Sequence, residues 1–210
     1  MYHLFFASFF LHAVTVHRKM SKMKIPLMWR KHMLSRYRRR LFRHFRQRIS
    51  FSQQDSSFSA SRFSEATTDT AVNRALPLTA SLKSFYPYFI YNPDSSYAID
   101  LYSYNILFVK RKGKTVAEQG EPDTEVALID FNRKTRKRIY FGGTSSAVLD
   151  AKWISKYRVL LLTGEVIGRT KFQPELLKYS VGDSTIQDFV YPDTLQLNIS
   201  DYEDKRLKGL

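Results

Sequence analysis

Apolar and polar residues alternate in short runs from Leu82 onward, as in β-strands that bury one face. Five strand-like runs cover residues 97–109, 125–130, 138–141, 153–163 and 176–191, the last interrupted by a turn at Gly182 and Asp183. The unbroken apolar run 159–162 indicates an inner strand that is buried on both faces. Because no helical periodicity occurs in this part of the chain, the sequence predicts an all-β, antiparallel domain over residues 82–205.

The chain also contains an internal repeat. The segment TEVALIDFNRKTRKRIYF from Thr124 aligns without a gap with PELLKYSVGDSTIQDFVY from Pro174, at an offset of 50 residues. Each copy has a Glu, an apolar strand, a polar tip and an apolar return strand that ends in aromatic residues, so each is predicted to be a β-hairpin. A further extended run precedes each hairpin, beginning at Asn92 and Trp153. The predicted unit therefore has about four strands and occurs twice.

These repeated residues resemble a known family. An opening Asn-Pro-Asp or Trp-Ile-Ser, followed by a hairpin with the alternation Val126, Leu128, Asp130, is similar to blades of the WD40-like and related periplasmic β-propellers. The resemblance covers residues 92–193 and implies a repeat fold without an activity. A closed propeller needs roughly four to eight blades, and this chain has room for two. The two units could therefore be propeller-like blades from a longer ancestor, or blades that complete a ring in an oligomer. We favour a third arrangement, in which they are the two sheets of a β-sandwich.

Charge divides the chain into two unlike parts. All five Met, all five His and 13 of the 34 Lys and Arg residues lie in residues 1–54, which contain no Asp or Glu. The formal charge of +15 is divided into +13 before Asp55 and +2 from Asp55 onward. We therefore predict a basic arm over residues 1–54, a Ser/Thr-rich linker over 55–81 and the β-rich repeat domain over 82–205.

The arm begins with an apolar run over residues 4–16. This run is too short to cross a hydrocarbon core of about 30 Å as a helix. Its length is typical of a signal-peptide core, although the positive charge follows the run instead of preceding it. An exported or membrane-associated location is favoured if this segment functions as a signal or anchor.

The second half of the arm has the pattern of a basic amphipathic helix. Leu34, Tyr37, Leu41, Phe45 and Ile49 recur every three or four positions. The other face carries seven arginines: Arg36, Arg38, Arg39, Arg40, Arg43, Arg46 and Arg48. This pattern is typical of contact with an anionic membrane, nucleic acid or a calmodulin-like protein, and of an organelle transit peptide. Translation upstream of the true start would also produce such a segment, so these interpretations stay open.

The domain lacks the side chains for several kinds of catalysis. No His, Cys or Met follows residue 54, so a Ser-His-Asp triad, a Cys nucleophile and a His-ligated zinc ion cannot be assembled within the domain. Carboxylate chemistry stays open through Asp100, Asp130, Asp150 and Glu165, although an Asp beside a turn more often caps backbone groups. The sequence predicts no catalytic residue, no metal site and no cofactor.

Two basic clusters lie at or beside the predicted hairpin tips. The first comprises Lys110, Arg111 and Lys112, and the second comprises Arg133, Lys134, Arg136, Lys137 and Arg138. If the tips meet, the clusters form a patch for phosphates or an acidic partner. Charge at exposed tips also prevents sheets from pairing with one another, so a solvated turn is the alternative.

The sequence therefore predicts a non-enzymatic, β-rich repeat module for protein–protein interaction or self-association, without a small-molecule substrate. The alternative is a binder of anionic polymers, in which the arginine-rich helix contacts nucleic acid and the β-domain positions it.

Overall fold

The computed structural model describes residues 63–70, 73–168 and 170–208. The predicted amphipathic helix, with its seven arginines, and the apolar run at residues 4–16 lie outside the described residues. The described part consists mainly of antiparallel β-sheet, as the alternation of apolar and polar positions predicted.

Thirteen strands follow one another along the described residues. They are β1 (Ser64–Thr70), β2 (Leu76–Pro77), β3 (Ile90–Tyr91), β4 (Tyr97–Asp100), β5 (Ile106–Arg111), β6 (Lys114–Gln119), β7 (Thr124–Asp130), β8 (Thr135–Gly142), β9 (Ser146–Ser155), β10 (Arg158–Ile167), β11 (Lys171–Ser180), β12 (Thr185–Val190) and β13 (Leu195–Gln196). A 3-10 helix, Ala80–Tyr88, separates β2 from β3, and an α-helix, α1 (Ile199–Lys208), follows β13.

The strands form three antiparallel sheets. The six-stranded sheet has the order β1-β12-β11-β10-β9, with β13 also paired to β11. The five-stranded sheet has the order β2-β8-β7-β4-β3, and β5 and β6 form a separate two-stranded sheet. Each larger sheet thus contains a run of neighbouring strands that follow one another along the chain, apart from the insertion of β5 and β6.

Both predicted hairpins are confirmed, as the pairs β7–β8 and β11–β12. The predicted inner strand is also confirmed, because β10 pairs with β9 on one side and with β11 on the other. The run predicted at 153–163 is divided between β9 and β10 by a turn at Lys156 and Tyr157. The run predicted at 97–109 is divided between β4 and β5, because Asp100 accepts hydrogen bonds from the backbone N–H groups of Tyr102 and Ser103 at 3.0 and 2.9 Å and so holds a turn.

The range predicted as a linker, 55–81, contains strand β1, which pairs with β12 from Thr70 opposite Thr185 to Ser64 opposite Val190. Phe63 anchors the start of β1, since its buried ring lies 5.0 Å from the ring of Tyr191. Helix α1 and the 3-10 helix were not predicted either. A strand whose side chains stay exposed at a sheet edge needs no apolar alternation, and therefore β1 carries no periodic signal.

Apolar side chains cover both faces of the two larger sheets. One cluster joins the sheets to each other and includes Ile99 and Leu128 from one sheet and Leu161 and Tyr179 from the other. A second cluster lies under α1 and the C-terminal segment. A third contains side chains of the 3-10 helix, β4, β5 and β7. As a result all seven residues of β7 are buried, including its charged residues.

Candidate interaction site on strand β8

Two buried carboxylates on the five-stranded sheet are neutralised from strand β8. Arg136 donates to the carboxylate of Glu125, and its Nη2 lies 3.4 Å from Oδ2 of Asp100. Arg138 donates from Nε to the other oxygen of Glu125 at 2.5 Å. A buried carboxylate is stable only when it is paired and hydrogen-bonded. These two arginines, predicted as ligands for an external anion, are therefore bound to the protein's own carboxylates.

The four carboxylates predicted as catalytic candidates are not brought together. Asp100 caps the turn after β4, and Asp130 caps the tip of the β7–β8 hairpin by accepting from the backbone N–H of Arg133 at 3.0 Å. Asp150 and Glu165 lie on the six-stranded sheet, where Asp150 accepts from the backbone N–H of Ala151 at 2.8 Å and Glu165 is exposed. The arrangement provides turn capping and charge pairing, not a pair of carboxylates across one substrate bond.

Of the cluster Lys110–Lys112, Lys112 lies at the tip of the β5–β6 hairpin, and Lys110 and Arg111 are the last two residues of β5. Lys112 and Gly113 have φ angles of 49° and 78°, and two successive positive values fit the two-residue turn that a hairpin favours. Arg111 pairs with Glu118 across the hairpin at 2.8 Å. This cluster therefore belongs to a different sheet from Arg133–Arg138.

Strand β8 separates the members of the second basic cluster. Only Arg133 and Lys134 lie at the exposed hairpin tip, whereas Arg136, Lys137 and Arg138 are strand residues. Lys137 donates to Oγ of Ser184 at 2.9 Å, and burial lowers the pKa of Lys137. The cluster was predicted at or beside a hairpin tip, and the structure divides it: the tip ends at Lys134, and the other three residues follow in β8.

The outer edge of β8 is covered over only part of its length. Strand β7 pairs with β8 from Thr135 to Gly142, with a register shift between Val126 and Ala127. On the other side, β2 pairs only with Thr135 and Arg136, and none of the described strands pairs with residues 137–142. In the six-stranded sheet, β1 covers β12 from Thr185 to Val190. Backbone N–H and C=O groups that point away from the last strand of a sheet are a template for another strand.

Exposed apolar side chains mark both ends of this edge. Leu76, opposite Arg136, is 58% exposed, and Phe141 is 46% exposed. The guanidinium carbon of Arg138 lies 4.8 Å from the centre of the Phe141 ring, and the ring of Tyr104 contacts the same phenyl edge-on at 5.9 Å. We call residues 137–142 of β8, together with Leu76, the β8 edge.

Of the β8 edge, only Lys137 and Arg138 were predicted as site residues, as part of a patch for an anionic ligand, and the open strand edge itself was not predicted. Pro77 was the available signal, because a proline cannot donate to a strand ladder and is confined to sheet edges and strand ends. Pro77 indicates that β2 is short, but it does not indicate which strand pairs with β2. The partner strand is distant in sequence, since Leu76 lies opposite Arg136, 60 positions later.

In the part of the chain that the structure describes, no group of three or more His, Asp or Glu side chains is arranged to hold a metal ion. None of the described helices is long and apolar enough to cross a membrane. No protein-family model, no curated protein and no solved structure matches the chain.

Proposed function

We propose that the protein is a non-enzymatic, β-rich interaction module that accepts an extended segment of a partner protein along the β8 edge. The observation that carries this proposal is the short β2, which pairs with two residues of β8 and leaves residues 137–142 open among the described strands. In strand addition, main-chain hydrogen bonds supply affinity, and side chains at alternate positions supply specificity.

Ion pairs between β7 and β8 hold the edge strand in place, which favours binding. Glu125 on β7 pairs with both Arg136 and Arg138 on β8, so two side chains of the edge strand are held by a buried group of its neighbour. A surface that keeps its conformation on binding loses less conformational entropy, which leaves more of the contact energy as affinity. The β8 edge is therefore suited to a partner that brings an extended segment.

We also propose that the two larger sheets are copies of one four-stranded unit that stack through their shared core in the manner of a β-sandwich. The return strands β8 and β12 begin at Thr135 and Thr185, and the residues before them, Lys134 and Ser184, have φ angles of 53° and 57°. The strand orders of the two sheets also correspond, β1-β12-β11-β10-β9 in one and β2-β8-β7-β4-β3 in the other, so β2 takes the position of β1.

Site-specific photocrosslinking in the native cells tests the proposed binding function. A photoreactive phenylalanine analogue replaces Phe141 in the full chain, and a matched control replaces Tyr157, which is similarly exposed but lies in the β9–β10 turn. We expect a discrete crosslinked partner from position 141 and not from position 157. Identical products from both positions, or no product from position 141, would contradict the proposal.

A second candidate function is supported by the charge of the arm, which has +13 within its 54 residues. In this alternative the arm binds an anionic polymer such as nucleic acid. Binding that is lost on deletion of residues 1–54, and that weakens steeply with salt in the full chain, would support the alternative. Binding that survives the deletion would exclude it.

A further inference from the structure

The exposed charge beside the β8 edge is positive. The side chains of Arg133 and Arg138 are 84% and 44% exposed, and Lys134 and Arg74 are also exposed. The two carboxylates that pair with Arg136 and Arg138 are buried: the side chains of Glu125 and Asp100 are at most 1% exposed. A partner that approaches along β8 near Arg133, Lys134 and Arg138 therefore meets exposed cations, which favours an acidic segment.

Strand β1 shows which kind of segment this fold holds at a corresponding edge. Its sequence, SEATTDT, contains Glu65 and Asp69 and no Lys or Arg. It is held by backbone pairing to β12 and by side-chain hydrogen bonds such as Thr67 to Asp188 at 2.7 Å. Most of its side chains stay exposed, so the edge holds an acidic strand without enclosing it.

The apolar ends of the β8 edge set the length of the partner segment. Leu76 lies opposite Arg136, and Phe141 lies five residues farther along β8. At about 3.3 Å per residue, the two apolar side chains are roughly 16 Å apart. A segment of about six extended residues spans this distance, with acidic side chains between two apolar contacts.

We infer that the partner presents an acidic, extended segment of about six residues, with an apolar residue at the end that contacts Phe141. This inference rests on the proposed function. Nucleic acid fits less well, because the guanidinium of Arg136 already binds the carboxylates of Glu125 and Asp100 and that of Arg138 already donates from Nε to Glu125, which leaves fewer donors for a phosphate group.

The experiment uses a peptide with the chain's own sequence FSEATTDT, residues 63–70, as the probe. Two control peptides carry Lys at the positions of Glu65 and Asp69, or their amides Gln and Asn. Binding to the full chain is measured by fluorescence anisotropy at low and physiological salt. Hydrogen–deuterium exchange then reports separately on residues 137–142 and on residues 185–190, where the peptide could displace β1.

We expect the acidic peptide to bind about tenfold more tightly than the Lys peptide, to slow exchange at residues 137–142, and to bind more weakly as salt increases. The charge-reversing variant Arg133→Glu, at an exposed tip position, should weaken the acidic peptide and strengthen the Lys peptide. Phe141→Ser should weaken all three peptides.

Other results overturn the inference. If all three peptides protect residues 137–142 equally, the partner is not selected by charge, while the proposed edge binding is retained. Protection confined to residues 185–190, or an oligonucleotide that protects 137–142 in place of the peptides, also overturns the inference. If those amides of residues 137–142 that point away from β7 exchange slowly in the full chain before any peptide is added, the edge is already covered, and the proposed function fails with the inference.

Discussion

The guanidinium of Arg136 lies 3.4 Å from the carboxylate of Asp100, whose side chain has no exposed surface. Asp100 ends β4 and Arg136 lies near the start of β8, with β7 between them in the sheet. Because the same guanidinium also pairs with Glu125 on β7, one arginine connects three neighbouring strands. The outermost of these strands is the one whose edge we propose as the binding site.

Replacing Arg136 with Met should strongly destabilise the fold, because it removes a cation from two buried carboxylates. Breaking a buried ion pair from one side costs about 3–5 kcal/mol, and the remaining pair between Arg138 and Glu125 should place the loss at the lower end of that range. The free energy of unfolding is measured by urea denaturation. Arg133→Met is the control, because its partner Asp130 is 3.9 Å away and its own side chain is exposed, and its cost should stay within about 0.5 kcal/mol. Equal losses for both variants would refute the structural role of Arg136.

Glu175 should make the protein less stable at neutral pH than at acidic pH. Burial raises the pKa of Glu175, and Asp188 and Glu165 raise it further. Because this pKa is higher in the folded than in the unfolded state, the folded protein binds the proton more tightly, and stability falls as pH rises above the ordinary value of 4.5. Glu175→Gln should therefore be more stable than the unmodified protein at pH 7, and the difference should disappear at a pH below the ordinary value.

The matched control for this pH dependence is Glu118→Gln. The guanidinium of Arg111 lowers the pKa of Glu118, so the carboxylate favours folding above its ordinary pKa and this contribution is lost as pH falls. The Gln variant at position 118 should thus be slightly less stable at pH 7, with a small effect because both side chains are exposed. Urea denaturation at the two pH values measures the free energy of unfolding of both variants. If both substitutions changed the free energy of unfolding at pH 7 in the same direction, the result would contradict the opposite pKa shifts of Glu175 and Glu118.

Adding a methyl group at Gly164 should destabilise the six-stranded sheet. A Cβ atom at this position in β10 would overlap the backbone oxygen of Gln173 and the ring of buried Phe172. Overpacking of this kind typically costs about 1–3 kcal/mol. Gly143→Ala is the comparison, because a Cβ atom there meets nothing within 4 Å. Thermal unfolding should show a clear decrease in Tm for the first variant and almost none for the second.

Replacing Lys134 or Ser184 with glycine should stabilise the fold in both cases, with the larger effect at Lys134. Lys134 and Ser184 have φ angles of 53° and 57°, which cost a residue with a side chain roughly 1 kcal/mol relative to glycine. Lys134→Gly should therefore raise the free energy of unfolding by up to about 1 kcal/mol. Ser184→Gly should give a smaller gain, because it also removes the hydrogen bond from Lys137. A loss of stability at Lys134 would contradict this account of the tip.

The sequence predicted those strands whose own residues show a periodic or continuous apolar pattern. Alternation of apolar and polar residues predicted β7, β8, β11 and β12, and the polar tips placed both hairpins, because hairpin strands are neighbours in sequence as well as in space. The apolar run 159–162 likewise predicted an inner strand, since only a strand buried on both faces needs continuous apolar side chains. The sequence alone also shows that residues after 54 contain no His and no Cys, so these residues by themselves cannot form a Ser-His-Asp triad or a Cys nucleophile.

The tertiary structure decided which strands lie side by side when they are distant in sequence. Thr67 of β1 and Asp188 of β12 are 121 positions apart, and Arg136 and Asp100 are 36 apart. A polar edge strand is held mainly by backbone hydrogen bonds to its neighbour and buries few apolar side chains. Its own sequence therefore does not indicate which strand it pairs with. The same holds for the basic cluster on β8, where packing decides which arginines meet buried carboxylates and which face the solvent. Charge composition is a property of the chain, whereas the compensation of charge depends on neighbours that only folding brings together.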